Sequence, residues 1–247
     1  MERIGTIARV RRYPVKSMAG EDLNEAQVTC WGVAGDRVYA FIDERNRSDF
    51  PWMTGRQGRD MILFRTRFLA PPPQPKGNGN PPAAEVYAME VTAPEGQQFR
   101  MGADEFTAFL AARYARPLRL RFSEQSMTDA QPVSIFGLGT LGALSGETGI
   151  DLDARRFRAN FYAQWNEDRP FYEDGLAGRA LRIGDSVELR VIKKNERCVM
   201  INLDPETAAA SPVVLETVAR RHDSCAGVYA QVLREGIVRV GDAIQAI

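Results

Sequence analysis

Histidine is nearly absent from this 247-residue chain, which carries only His222. Cysteine is scarce as well: Cys30, Cys198 and Cys225, with no C-x-x-C among them. These shortages exclude zinc or iron–sulfur sites built from Cys and His clusters, and an odd cysteine count argues against a disulfide framework. A nucleophile–histidine pair would have to rest on His222 alone. No excess of one charge exists: 32 Lys+Arg face 32 Asp+Glu, for a formal net charge of +0. That rules out a protein held to nucleic acid by overall charge and leaves room for a local basic pocket. No 18-residue apolar run occurs, so no membrane span is expected. The opening MERIGTIARVRRYPVK is basic without an apolar h-region, unlike a secretory signal. The chain is therefore expected to begin near Met1, to be cytoplasmic, and to have neither nucleic acid nor membrane as partner.

What is present is ordinary globular material, 44% hydrophobic and 26% charged, in a length that suits one large domain or two small ones. The first third reads as strands: 4–10, 26–31, 36–43 and 61–66 are apolar or β-branched and bounded by Gly, Asp, Asn or Pro. Residues 71–82 hold six of the fourteen prolines and no core-forming residue, so an exposed, mobile loop is expected there. Over 104–115, Phe106, Phe109, Leu110 and Tyr114 fall on one helical face, and Pro117 stops the helix. A strand at 118–122 follows, and the polar stretch 123–131 marks a boundary between 1–125 and 126–247. Beyond it the pattern predicts a short helix at about 134–144 and strands near 157–164, 186–192 and 198–203. A helix opens at Ser211-Pro212 with apolar residues Val214, Leu215 and Val218, and two strands flank Glu235-Gly236. Many short strands with few helices predict a mixed, mainly β, barrel-like architecture.

Gly137, Gly139 and Gly142 match G-x-G-x-x-G, the dinucleotide fingerprint. Arg155, Arg156 and Arg158 would open the next strand, which is unlike a buried parallel strand. A short helix with small residues at a close packing contact accounts for the glycines better. His222 follows Arg220-Arg221 at a helix end, where it complements the dipole. Asp151 and Asp153 read as cap or loop residues, since the further oxygen ligands of a calcium loop are missing.

Cys198 stands apart: Lys193, Lys194 and Arg197 precede it within five residues. Positive neighbours favour the thiolate, the form that attacks or binds metal, and a thiolate suits a soft transition metal. Cys30 and Cys225 lack such surroundings and read as small packed hydrophobes. Lys16, Arg37 and Arg158 each sit at a strand end or turn, where side chains from distant segments can converge on an oxyanion.

Taken in order, Tyr13-Pro-Val-Lys-Ser17, Gly35-Asp-Arg37, Thr54-Gly-Arg-Gln57, Pro132-Val-Ser134, Arg156-Phe-Arg-Ala-Asn160, Arg197-Cys198, Leu203-Asp-Pro-Glu-Thr207 and Val240-Gly-Asp242 resemble the MOSC family, the molybdenum cofactor sulfurase C-terminal domain. The resemblance covers nearly the whole chain and is strongest to two-part members, such as the amidoxime-reducing components. It implies an N-terminal β-barrel-like domain over 1–125 and a β-barrel MOSC domain over 126–247. It implies the molybdenum cofactor, a molybdopterin, with Cys198 as metal ligand and catalytic residue. Lys16, Ser17, Arg37, Ser134, Arg158 and Asn160 map onto the cofactor contacts. The activity it implies is two-electron reduction of an N–O or related X–O bond of a small molecule, with oxygen leaving as water. Electrons are expected from a separate ferredoxin-, flavin- or cytochrome-type protein, because the chain ends at Ile247 without room for an iron–sulfur domain. Other readings are a sulfur or cofactor carrier using Cys198, and a binding module in which Cys198 is packed. The sequence departs from the family where Gly58-Arg59 follow the Arg-Gln pair, and at Ala159, Leu176 and Asn195. Phe50-Pro51-Trp52 adds aromatic surface beside Arg56-Gln57, as core or as pocket wall.

Overall fold

The computed structural model describes residues 2–72 and 87–247. Its elements begin with strands β1 (Glu2–Arg12), β2 (Glu21–Leu23), β3 (Glu25–Thr29), β4 (Gly32–Val33) and β5 (Tyr39–Asp43). Next come β6 (Arg65–Phe68), β7 (Met89–Thr92), β8 (Gln98–Arg100), helix α1 (Asp104–Tyr114) and β9 (Leu118–Phe122). The second half holds β10 (Val133–Gly137), α2 (Leu138–Thr148), β11 (Phe161–Trp165), β12 (Ala180–Ile183) and β13 (Val187–Glu196). It ends with α3 (Val213–Arg221), β14 (Cys225–Arg234), β15 (Gly236–Arg239) and β16 (Ala243–Ala246). The chain is mainly β, as its pattern predicts.

Seven strands close into a barrel in the order β11-β10-β14-β13-β12-β16-β1, and β1 completes the ring against β11. Strand β1 pairs with β16, β11 and β2, and its register slips twice, between Arg3 and Gly5 and between Ile7 and Arg9. Such bulges bend a strand and raise its twist. Its first half pairs with β16 and its second with β11. Ile4, Ile7 and Val10 then point into a core of Val, Ile, Leu and Phe side chains from the other six strands. Strand β15 pairs with β3, so a second N-terminal element is stitched to the C-terminal half.

A separate core lies beneath β5–β9, the β6-β7-β8 sheet and α1. Phe106 on α1 is its hub, with ring centroids 5.7 Å from Phe41 and 5.1 Å from Phe99. Aromatic pairs at such separations add to what their buried area contributes. A third cluster joins α2 and α3 through Leu144, Val214 and Val218. His222, at the end of α3, meets Glu147 of α2 at 2.8 Å and stacks on Phe171 at 3.9 Å. Asp153 caps the turn after it, accepting from the Arg155 N–H at 2.8 Å.

Several elements differ from the pattern-based expectation. Residues 133–137 form a strand, and the helix starts only at Leu138. Residues 61–63 belong to a 3-10 turn over Arg59–Leu63, with the strand beginning at Arg65. The segment expected as a strand from Cys198 is a 3-10 turn over Val199–Asn202. Near 157–164 the strand starts only at Phe161, after a 3-10 turn over Ala154–Phe157. Of the 71–82 stretch, Pro71 and Pro72 are at least partly exposed, and residues 73–82 lie outside the described residues.

The glycine fingerprint does sit between a strand and a helix, and β10 runs parallel to β11. The anion position at the start of α2 is nevertheless filled from within. The buried Glu173 carboxylate accepts from the Gly137 N–H and from the Thr140 hydroxyl at 2.9 Å each, and from the Trp165 indole at 3.0 Å. A helix N-terminus welcomes negative charge, and here a side chain of the same chain supplies it.

Candidate functional site

The Tyr13-to-Ser17 turn leaves the end of β1 and is pinned to β5, with the Lys16 N–H donating to the Tyr39 carbonyl at 2.8 Å. Arg37 approaches the same turn, its N–H donating to the Tyr13 carbonyl at 2.7 Å. Asp36, fully buried, accepts from the Tyr13 N–H at 2.7 Å and pairs with the Arg37 guanidinium. From the other half, Ser134 on β10 and Asn160 just before β11 lock together, the Asn160 Oδ1 accepting from both the Ser134 N–H and hydroxyl at 3.1 Å. Arg158 follows the 154–157 turn, donates to the Met18 carbonyl at 2.8 Å, and lies 4.4 Å above the Tyr13 ring. The Arg37 guanidinium closes the gap by donating to the Arg158 carbonyl at 3.0 Å. Cys198, half-buried, begins the turn after β13 and makes no capping hydrogen bond there.

The seven residues singled out in the sequence, Lys16, Ser17, Arg37, Ser134, Arg158, Asn160 and Cys198, all line one cavity of about 390 Å³. Other residues that chain pattern alone did not single out also line it, among them Asp129, Asn195 and Tyr229. Tyr229 carries no local signal; it arrives through strand register, opposite Ser134 on one side and Lys193 on the other. Phe50 is pocket wall, whereas Trp52 bridges to Ile42 and lies half-buried. Cys30, expected as a packed hydrophobe, is exposed, because it falls in the turn after β3; Cys225 is only half-buried.

Cations dominate this lining. Burial, with Arg37 beside it, pushes the Arg158 guanidinium down to about 10. Burial also lowers Lys16, against the opposing pull of Asp129. Lys16 donates to the Met127 carbonyl at 2.8 Å and forms an ion pair with Asp129. Arg37 is raised: burial opposes its charge, and the Asp36 carboxylate outweighs it. Burial lowers Arg197. Arg158 Nη2, Arg197 Nε and Asn195 Oδ1 are buried without a hydrogen-bond partner among the described residues. Buried polar atoms are rarely left so: the two arginine donors fit an anionic acceptor, and the Asn195 amide oxygen fits a donor group on the same polar ligand.

This fold and this pocket define a member of the MOSC family, and the chain belongs to it: the MOSC N-terminal beta barrel domain matches residues 4–130 and the MOSC domain residues 123–245. Among curated proteins it is similar to mitochondrial amidoxime-reducing component 1 of Mus musculus, 23% identical over 99% of this chain and 83% of that protein. The Homo sapiens protein of the same name is 24% identical over 85% of this chain and 70% of its own length. In fold it is similar to the YUAD protein from Bacillus subtilis, with a TM-score of 0.51 and 11% identity over 98% of this chain and 96% of that one.

Proposed function

We propose that this protein is a molybdenum-cofactor oxidoreductase that reduces N-hydroxylated or related X–O compounds with electrons from a separate donor protein. The observation that carries the reading is convergence: three polar residues of the C-terminal half and three of the N-terminal half meet around one cavity with a half-buried thiol. The residues fit the group chemically. A phosphate wants Lys, Arg and hydroxyl donors, and a metal already bound through sulfur accepts a further thiolate. Cys198 would hold the metal, and Lys16, Ser17, Arg37, Ser134, Arg158 and Asn160 would hold the pterin and its phosphate. When bound, the molybdenum centre supplies the two-electron couple.

The chain's own residues do the positioning. The Tyr13 ring carries the Arg37 and Arg158 guanidiniums, at 4.9 and 4.4 Å, and so fixes two charges from opposite halves on one support. Asn160 holds the Ser134 hydroxyl, and Asp129 holds the Lys16 ammonium. A cytoplasmic location suits three free thiols. Among the described residues no helix is long and apolar enough to cross a membrane.

The test is metal and pterin analysis of protein purified from a cofactor-competent host, followed by reduction of benzamidoxime with reduced methyl viologen as donor. Stoichiometric molybdenum with turnover supports the proposal. Bound cofactor without turnover on any N-hydroxylated compound would turn the reading toward a cofactor or sulfur carrier. No cofactor at all would end it.

A further inference from the structure

The cations of the pocket divide into two sets. Lys16, 6% exposed, is engaged by Asp129, and Arg37 by Asp36. Arg56 is different. It lines the same cavity, is exposed, and its guanidinium has no ion pair or hydrogen bond among the described residues. Its guanidinium carbon lies 5.4 Å from the centroid of the Phe50 ring, and its charge reaches Asp129 without an ion pair to it. The Phe50 face supports the charge without neutralising it.

The chain fixes where this charge stands. The Gln57 side-chain oxygen accepts from both the Thr54 N–H and hydroxyl at 2.9 Å, which locks the turn that presents Arg56. Gly55, in the same turn, lies so close to Met200 that an added Cβ would stand 2.6 Å from the Met200 sulfur. Met200 is two residues beyond Cys198, in the turn that Cys198 begins. The Arg56 turn therefore abuts the thiol end of the cavity, with Phe50 and Met200 as its apolar lining. Lys193 also lines the cavity as an exposed cation, and Glu196 is an exposed carboxylate beside it.

We infer that Arg56 is a substrate-binding residue, and that the substrates of this site are planar N-hydroxylated compounds bearing a carboxylate, held by the Arg56 fork while the body of the molecule lies along Phe50 and Met200. This rests on the reductase reading above. A guanidinium over an aromatic face, with no ion pair of its own while the nearby Asp129 is engaged by Lys16, is organised for a planar anion. A hydrogen bond to a charged group is roughly twice as strong as a neutral one.

The experiment compares wild type, Arg56→Gln and Arg56→Lys, each with its molybdenum content measured first. Kinetics are run on benzamidoxime and 4-carboxybenzamidoxime with reduced methyl viologen. Binding of 4-carboxybenzamidoxime to the oxidised protein is measured in parallel by calorimetry. Expected is a preference of wild type for the carboxylate, falling about tenfold or more in Arg56→Gln through KM rather than kcat, with a matching rise in the calorimetric Kd. Arg56→Lys should recover part of it, since the charge returns without the fork. An unchanged preference and an unchanged Kd would overturn the inference. So would a loss of molybdenum with both substrates affected alike, which would assign Arg56 to the cofactor. If wild type reduces neither compound, the reductase reading falls, and the calorimetric comparison still decides whether Arg56 binds the carboxylate.

Discussion

Three of the pocket's polar residues stand on backbone that side chains other than glycine seldom adopt: Ser17 at φ 67°, Arg37 at φ 49° and Arg158 at φ 50°. Such conformations cost free energy and persist where the surroundings impose them, most often at functional sites. Here they turn two guanidiniums and a hydroxyl toward one point from two halves of the chain. The thiol among them gives the sharpest test. Cys198→Ser changes volume little but replaces a soft ligand with a hard, weakly acidic one. It is expected to lose most of its bound molybdenum while melting within a few degrees of wild type. Cys30→Ser and Cys225→Ser should keep their metal. Full metal content in Cys198→Ser, measured by elemental analysis, would detach the thiol from the site. The Lys16–Asp129 pair gives a second test. Burial pushes the Asp129 carboxyl up, but Lys16, then Arg37 and Arg56, hold it below its ordinary 3.8. A carboxyl lowered by folding stabilises the fold above its ordinary value, and this stabilisation is lost as pH falls through the lowered one. The melting temperatures of wild type and Asp129→Asn should therefore differ at pH 7 and converge as pH drops below 3.8. A gap that persists at pH 2 would mean that the pair is not what separates them.

The elements show how far pattern reading reaches. Helix α1 and strand β9 were legible because their apolar residues repeat at helical and strand periods, with Pro117 between them. The 198–203 run was not. Val199 is 41% exposed and Ile201 fully buried, and a short apolar stretch of this kind fits a strand or a tight turn equally well. The role of Glu173 was invisible for another reason: it stands 36 residues from Gly137, and only the folded chain brings them together. The same distance hid Tyr229, while Lys16, Arg37, Arg158 and Cys198 showed through because each sits in a short motif with its own charge or thiol signature. Glu173 also yields a prediction at this scale. Glu173→Ala leaves the Gly137 N–H, the Thr140 hydroxyl and the Trp165 indole without their shared acceptor, and should destabilise the protein by about 2–4 kcal/mol in urea unfolding. Gly137→Ala should be destabilising too, because its Cβ would fall 2.5 Å from the Glu173 carboxylate. A loss under 1 kcal/mol in Glu173→Ala would show that water replaces the carboxylate at the start of α2.

In the whole molecule, two family domains share structure that neither owns alone. Among the described residues, the apolar cluster around Phe106 draws on residues between 15 and 122, which supports the division we propose at 125/126. Strand β1 nevertheless belongs to the barrel of the C-terminal half, and β3 pairs with β15. Cutting at 125/126 would strip β11 and β16 of the strand between them and open the barrel at two edges. Open, hydrophobic edges pair with whatever they meet, and Ile4, Ile7 and Val10 would leave a gap in the barrel core. The pocket would be divided as well, since Lys16, Ser17 and Arg37 come from one side of the cut and Ser134, Arg158, Asn160 and Cys198 from the other. The domains are thus units of sequence more than of cooperative folding. Residues 126–247 expressed alone are expected to be aggregation-prone and to lack a sharp thermal transition. Co-expression with residues 1–125 should restore a soluble complex that unfolds in one step and binds molybdenum. A fragment 126–247 that shows native near-ultraviolet dichroism and unfolds cooperatively by itself would mean that β1 is an accessory to the barrel rather than the strand that closes it.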